Sequence, residues 1–249
     1  MVEIALCLAI IGFALVAIIG VLPYGLNVQK DNREETIVDQ DAVVWMDAIR
    51  DGAQGYDDLT NYVIAITNKV QAFQVAPSAT NLLTTHVYVF SLAGSTEDGV
   101  AMPVSFPLTN GFNIIGLLSR PKYEPTGNGF LSNYFVANVR AFSGSVVEKY
   151  PQTNSTILDS AFSYRMTVEN DDSVPYDPNN NSPVQARLLA NSHDLRLLFR
   201  WPLLPNGDAG NGRQIFRALT GGRLILTNNP ALAIPNLYFF QPSTYVQAP

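Results

Sequence analysis

The feature that most constrains this chain is a run of 19 residues, Ile4 to Leu22, all of them apolar or glycine and preceded by a single acid, Glu3. As a helix the run is about 28 Å long at roughly 1.5 Å per residue, close to the ~30 Å hydrocarbon core of a bilayer. Twelve of its side chains are large. At ~1.5–3 kcal/mol for each one buried, leaving them in water costs on the order of 20–35 kcal/mol. The segment therefore needs lipid or protein around it.

A cleaved signal peptide has a basic start, a shorter apolar core and a small-residue exit, whereas here the start is Met1-Val2-Glu3 and the exit Pro23-Tyr24-Gly25. A permanent anchor fits by length. Its nearest basic residues, Lys30 and Arg33, lie on the C-terminal side, which would leave the rest of the chain in the cytoplasm and Glu3 unexplained. A buried core helix would be striped rather than apolar all round. Packing among copies of the same segment is the simplest cover.

Glu3 followed by "IALCLAIIGFALVAIIGVLPYGLN" resembles the prepilin-type N-terminus of type IV pilins and pseudopilins, with Gly12 as the mid-helix glycine and Pro23 as the late proline. The motif covers about the first 30 residues. Pro23 falls a few residues later than the family's usual proline, and the carboxylate stands third rather than fifth, which predicts two further residues ahead of Met1. The resemblance implies a homo-oligomeric helical filament on the cell surface, preceded by an inner-membrane precursor that a prepilin peptidase trims and the pilus or secretion machinery assembles. It also implies the assembly residues: Glu3, Ile4, Leu6, Leu8, Ile11, Gly12, Phe13, Leu15, Ile18 and Pro23. Glu3 would meet an N-terminal ammonium, its own or a neighbour's, and set register, since a carboxylate in an apolar bundle is costly unless paired. A minor pseudopilin of a secretion apparatus and a membrane-anchored extracytoplasmic binding domain are the competing readings.

Beyond Pro23 and Gly25 the pattern changes. Val38, Ala42, Trp45 and Ile49 recur at spacings of three and four, with Lys30, Arg33, Glu34, Glu35, Asp39, Asp41 and Asp47 assigned to other faces. One long helix ending at Gly52 is expected, apolar over 1–25 and amphipathic over 26–52, packed on a β-rich head over 53–249. The fold class is α+β. The clearest strands are His86 to Phe90, Asn133 to Phe142, Ala161 to Asn170, Asp194 to Trp201 and Arg213 to Leu219. The last two flank "PLLPNGDAGNG" and should form an antiparallel hairpin. "NIIGLLSRPKY" reads as a short helix stopped before Pro121, and Glu169 to Pro183 as a polar surface loop.

Only 14% of residues are charged, against roughly 25% in typical soluble domains, and the net charge is −6. No basic field is available for a phosphate backbone, so nucleic acid is not an expected partner. Cys7, the lone cysteine, lies in the apolar run, so no internal disulfide forms. The sequence contains no H-E-x-x-H, P-loop, G-x-S-x-G or dinucleotide fingerprint, and "SRPK" at Ser119 to Lys122 lacks the companions of an S-x-x-K enzyme. No enzymatic role and no resident cofactor are expected. His86 is read as a strand position and His193 as a loop position. Calcium is a secondary expectation at Asp171, Asp172 and Asp177, with Asp208 as a second candidate. Asn154 and Asn180 fit the N-x-[ST] sequon for glycosylation.

Overall fold

The computed structural model describes residues 2–52, 57–76, 79–103, 106–143, 161–173, 182–227 and 236–247. Helix α1 runs from Val2 to Arg50 through Pro23. The proline ring removes one intrahelical N–H donor, which leaves the carbonyl four residues earlier, at Ile19, without its usual partner. Every side chain from Val2 to Arg33 is exposed. From Ile37 onward a buried stripe appears, comprising Ile37, Val38, Asp41, Ala42, Trp45, Met46, Ala48 and Ile49. Its spacing is that of one helix face. The chain divides into two compact units, 1–40 and 41–249, so the last ten residues of α1 belong to the second.

That second unit carries the β-rich head, and with the long helix it makes the protein α+β, as expected. After a short 3-10 helix, Asp57–Asn61, come β1 (Val63–Ala76), β2 (Ala79–Ser91), β3 (Gly94–Glu97) and β4 (Val100–Ala101). Helix α2 (Gly111–Leu118) follows, then β5 (Tyr123–Thr126), β6 (Gly129–Arg140) and β7 (Ser163–Asp172). The chain continues with α3 (Pro183–Asn191), β8 (Ser192–Leu203), β9 (Ala209–Gly221), β10 (Arg223–Thr227) and β11 (Leu237–Gln241). Among the described residues nine strands form one sheet in the order β4-β3-β2-β1-β6-β7-β8-β9, with β5 also paired to β6. All its pairings are antiparallel. Strands β5 and β7 share one side of β6, the first taking Gly129 to Ser132 and the second Phe135 to Arg140. Strands β10 and β11 pair separately.

The expected hairpin is present as β8 and β9, but its loop is shorter than "PLLPNGDAGNG". The strands extend to Leu203 and from Ala209, so Gly210 and Gly212 are strand residues. A Cβ at Gly212 would lie 2.5 Å from the indole of Trp201, its cross-strand partner, so the glycine is required by an aromatic ring lying over the backbone. The predicted short helix is α2, capped by the Asn110 side chain, which accepts the Asn113 N–H at 2.8 Å. It packs on β11 so closely that a Cβ at Gly116 would meet Phe239 Cζ at 2.6 Å. The polar segment Glu169 to Pro183 begins as the end of β7, through Asp172.

Asp41 departs from its expected polar face, because it is 1% exposed. Its Oδ2 accepts the Phe142 N–H at 2.9 Å and the Tyr164 hydroxyl at 3.0 Å, and its Oδ1 accepts the Ser143 hydroxyl at 2.9 Å. Tyr164 in turn accepts the Trp45 indole N–H at 3.0 Å. Periodicity assigns a carboxylate to solvent by type. Here three donors offset part of the cost of its burial, and the last turns of α1 are tied to the head by polar bonds as well as by apolar packing.

Candidate functional site

The assembly residues expected from the sequence all lie on the exposed part of α1. Ile4, Leu6, Leu8, Ile11, Phe13, Leu15 and Ile18 are each more than half exposed, Phe13 at 80%. Ile4, Leu8, Ile11, Leu15 and Ile18 recur at spacings of four and three along one face, with Leu6 and Phe13 off it. A Cβ added at Gly12 or Gly20 meets nothing within 4 Å, so neither glycine is needed for packing inside this chain. Glu3 occupies the first turn of the helix, where the positive end of the macrodipole favours a carboxylate. The helix is long and apolar enough to cross a membrane, and none of its apolar window is buried within the chain.

In the head, a cavity of about 560 Å³ opens over β1 and β2. Its polar lining includes Asn68, Thr84, His86, Tyr88, Glu97 and Arg120. At its inner end Arg120 is paired with Glu124, both within a tenth of full burial, through Nε and through a second bond from Nη2 at 3.1 Å. Asn133 donates to the same carboxylate at 2.8 Å and accepts from Asn68 at 3.3 Å. The guanidinium charge is thus matched by a carboxylate, and the fork geometry holds both in place. Burial, reinforced by the charge on Glu124, pushes the Tyr238 hydroxyl up to about 12.

At the outer end His86, Glu97 and Asp98 come together, with one ligand atom from each inside a 4.8 Å cluster. Two backbone devices build it. Asp98 and Gly99 form the two-residue loop between β3 and β4 with φ of 49° and 83°, the paired left-handed geometry of a type I′ hairpin turn. The Asp98 N–H donates to the Val87 carbonyl at 2.8 Å, while the Val87 N–H donates to Asp98 Oδ1 at 2.7 Å. Oδ2 is left facing His86 Nδ1 at 3.0 Å. Glu97 Oε1 stands 3.3 Å from the same nitrogen and accepts the Tyr88 hydroxyl at 2.9 Å. Burial and then the bond to Glu97 push the Tyr88 hydroxyl up to about 12, so it remains a donor through the physiological range. The Val87 N–H, followed by His86, holds the Asp98 carboxyl below the usual carboxylate range.

Sequence reading placed His86 on a strand, which is where it lies, but did not connect it with Glu97 and Asp98. The signal was the dipeptide Asp98-Gly99 shortly after a strand, the strongest local mark of a two-residue hairpin, which folds Glu97 and Asp98 back beside His86. His193, expected in a loop, is the second residue of β8 and is buried. Of the calcium candidates, Asp171, Asp172 and Asp208 are described. Asp171, the penultimate residue of β7, is paired with Lys122 at 3.6 Å, and Asp172 ends the strand. Asp208 is held in the β8–β9 loop by reciprocal bonds with Asn206, at 2.8 and 3.0 Å. Among the described residues none of these three joins a cluster of three His, Cys, Asp or Glu ligands. Asp177, Asn154 and Asn180 lie outside the described residues. Compared with protein-family models, with curated proteins and with solved structures, the chain matches none of them.

Proposed function

We propose that this chain is the structural subunit of an extracellular filament of the type IV pilus kind, in which the apolar halves of α1 bundle as a core and the β-rich heads face outward. The observation that carries this reading is the exposure of every large apolar side chain from Ile4 to Leu22 on a continuous helix. That surface requires lipid or protein cover. Lipid serves before assembly and neighbouring copies of α1 serve afterwards. Transfer from one to the other leaves apolar burial nearly unchanged, so van der Waals packing and the pairing of Glu3 decide the balance. Gly12 and Gly20 have no role inside the chain and suit close approach of helices. Inner-membrane insertion, trimming by a prepilin peptidase and extraction by the assembly machinery complete the proposed route.

The length of the apolar run also supports a simpler reading, a head held permanently by a single membrane span. The two separate on one experiment. Material sheared from the surface of cells producing the chain is imaged by negative-stain electron microscopy and probed for this chain. Fibres composed of it are expected, and Glu3→Ala should remove them while membrane levels of the subunit stay unchanged. Recovery of the chain solely as a detergent-soluble monomer, with no fibres, decides for the anchor.

A further inference from the structure

We propose that His86, Glu97 and Asp98 bind a divalent first-row transition ion, zinc in the first instance, which pins β2 to the β3–β4 turn. The site stands independently of the filament reading, because it lies wholly within the head.

The donor set carries the choice of ion. An imidazole nitrogen suits zinc and its neighbours, whereas calcium and magnesium take oxygen ligands. Zinc bonds of about 2.0–2.1 Å in a tetrahedral site hold ligand atoms roughly 3.3 Å apart. His86 Nδ1 stands 3.0 Å from Asp98 Oδ2 and 3.3 Å from Glu97 Oε1, both within a few tenths of an ångström of that spacing, and the two carboxylate oxygens lie within 4.8 Å of each other. Two carboxylates facing one ring nitrogen exceed what a single N–H can serve well, and a dication between them answers both. With Arg120 matched by Glu124, the two negative charges of Glu97 and Asp98 equal the charge of the ion.

The outer groups are those a metal site needs. The Val87 N–H engages Asp98 Oδ1 and leaves Oδ2 for the ion, and the Tyr88 hydroxyl orients Glu97. A further observation comes from the cavity wall that His86 and Glu97 share with Asn68. Asn68 is 1% exposed, and its Oδ1 is buried with no hydrogen-bond partner among the described residues. An orphaned acceptor of this kind is costly, and it leaves the wall of that cavity short of one donor.

The full chain in detergent, carrying Cys7→Ser to remove its thiol, is stripped with a chelator. It is then titrated with zinc by calorimetry and by thermal melting, and with cobalt by visible absorption. One zinc per chain and a raised melting temperature are expected, together with the intense absorption of tetrahedral cobalt. Calcium at the same concentration should produce no shift. Tyr88→Phe should weaken zinc about tenfold by freeing Glu97. Asp98→Asn keeps both the acceptor for the Val87 N–H and tolerance of the left-handed turn, so it should fold and yet lose the metal. Glu97→Gln is the second variant, with the same expected loss. Absence of zinc binding, or zinc binding that Asp98→Asn and Glu97→Gln leave intact, overturns the site. So does calcium binding of equal strength, which would mark a plain acidic turn.

Discussion

Asp41 and His193 are both buried in the head, and their protonation affects stability in opposite directions. Burial raises Asp41 above its ordinary value, with the bonds from Phe142, Ser143 and Tyr164 pulling back part of the way. Its contribution to stability is therefore full below the unfolded carboxylate value near 3.8 and is lost as pH rises through the raised folded value. For His193 burial lowers the imidazole below 6.5, outweighing a hydrogen bond to the Gly222 backbone that raises it. The ring is held neutral in the fold, against Phe240, while the unfolded chain takes a proton. Stability from this residue is thus present above pH 6.5 and is lost as pH falls from there toward the lowered folded value. Urea denaturation across pH 4.5–8 should show a component of stability that is lost below about pH 6.5, with a slope of at most about 1.4 kcal/mol per pH unit from this group. His193→Gln should flatten that component. Parallel pH profiles for the two proteins would place the acid sensitivity elsewhere.

At the scale of elements, the β8–β9 hairpin shows why a glycine in a strand carries information. Gly212→Ala drives a Cβ into the buried face of the Trp201 indole, a ring core that cannot swing aside like the end of a flexible chain, and should cost about 1–3 kcal/mol. Gly127→Ala, in the β5–β6 turn with nothing within 4 Å, should stay within about 0.5 kcal/mol, and chemical denaturation of the two variants checks the contrast. The strands read from alternation were those whose buried faces are regular, β6, β7 and β8 above all. Strand β1 was not legible, for two physical reasons. It buries Asn68 against Asn133, so a polar residue stands at an inward position, and a register shift at Ala72/Phe73 breaks its period. Helix α3 was legible in principle, since Ser182 caps it and Pro183 opens it, but it is short and offers a single buried side chain, Gln185. The cavity drew residues from β1, β2, β3 and the segment after α2, a convergence that local pattern does not encode. The apolar half of α1, by contrast, was fully legible because its composition overrides every local choice.

At the scale of the molecule, the boundary between the units falls at Gln40 and Asp41, inside a helix, and not at the helix end. The head is therefore not separable at Gly52. Trp45 and Ile49 are fully buried, and Asp41 serves three donors in the head. Removing a buried Trp or Ile to Ala typically costs about 2–5 kcal/mol each, and a domain holds only about 5–15 kcal/mol in all. A chain beginning at Gly52 loses these groups together and should not hold a cooperative fold. A chain beginning at Asn27 discards only exposed side chains of the apolar segment and keeps the entire buried stripe. It should be soluble without detergent, elute as a monomer, and unfold in one transition within a few degrees of the full chain, with the near-ultraviolet signal of Trp45 retained. If both truncations melt alike, α1 adds nothing to the head and the unit boundary is misplaced. If the Asn27 chain still needs detergent or still forms fibres, the drive to associate resides in the head, and the apolar helix cannot be what assembles this protein.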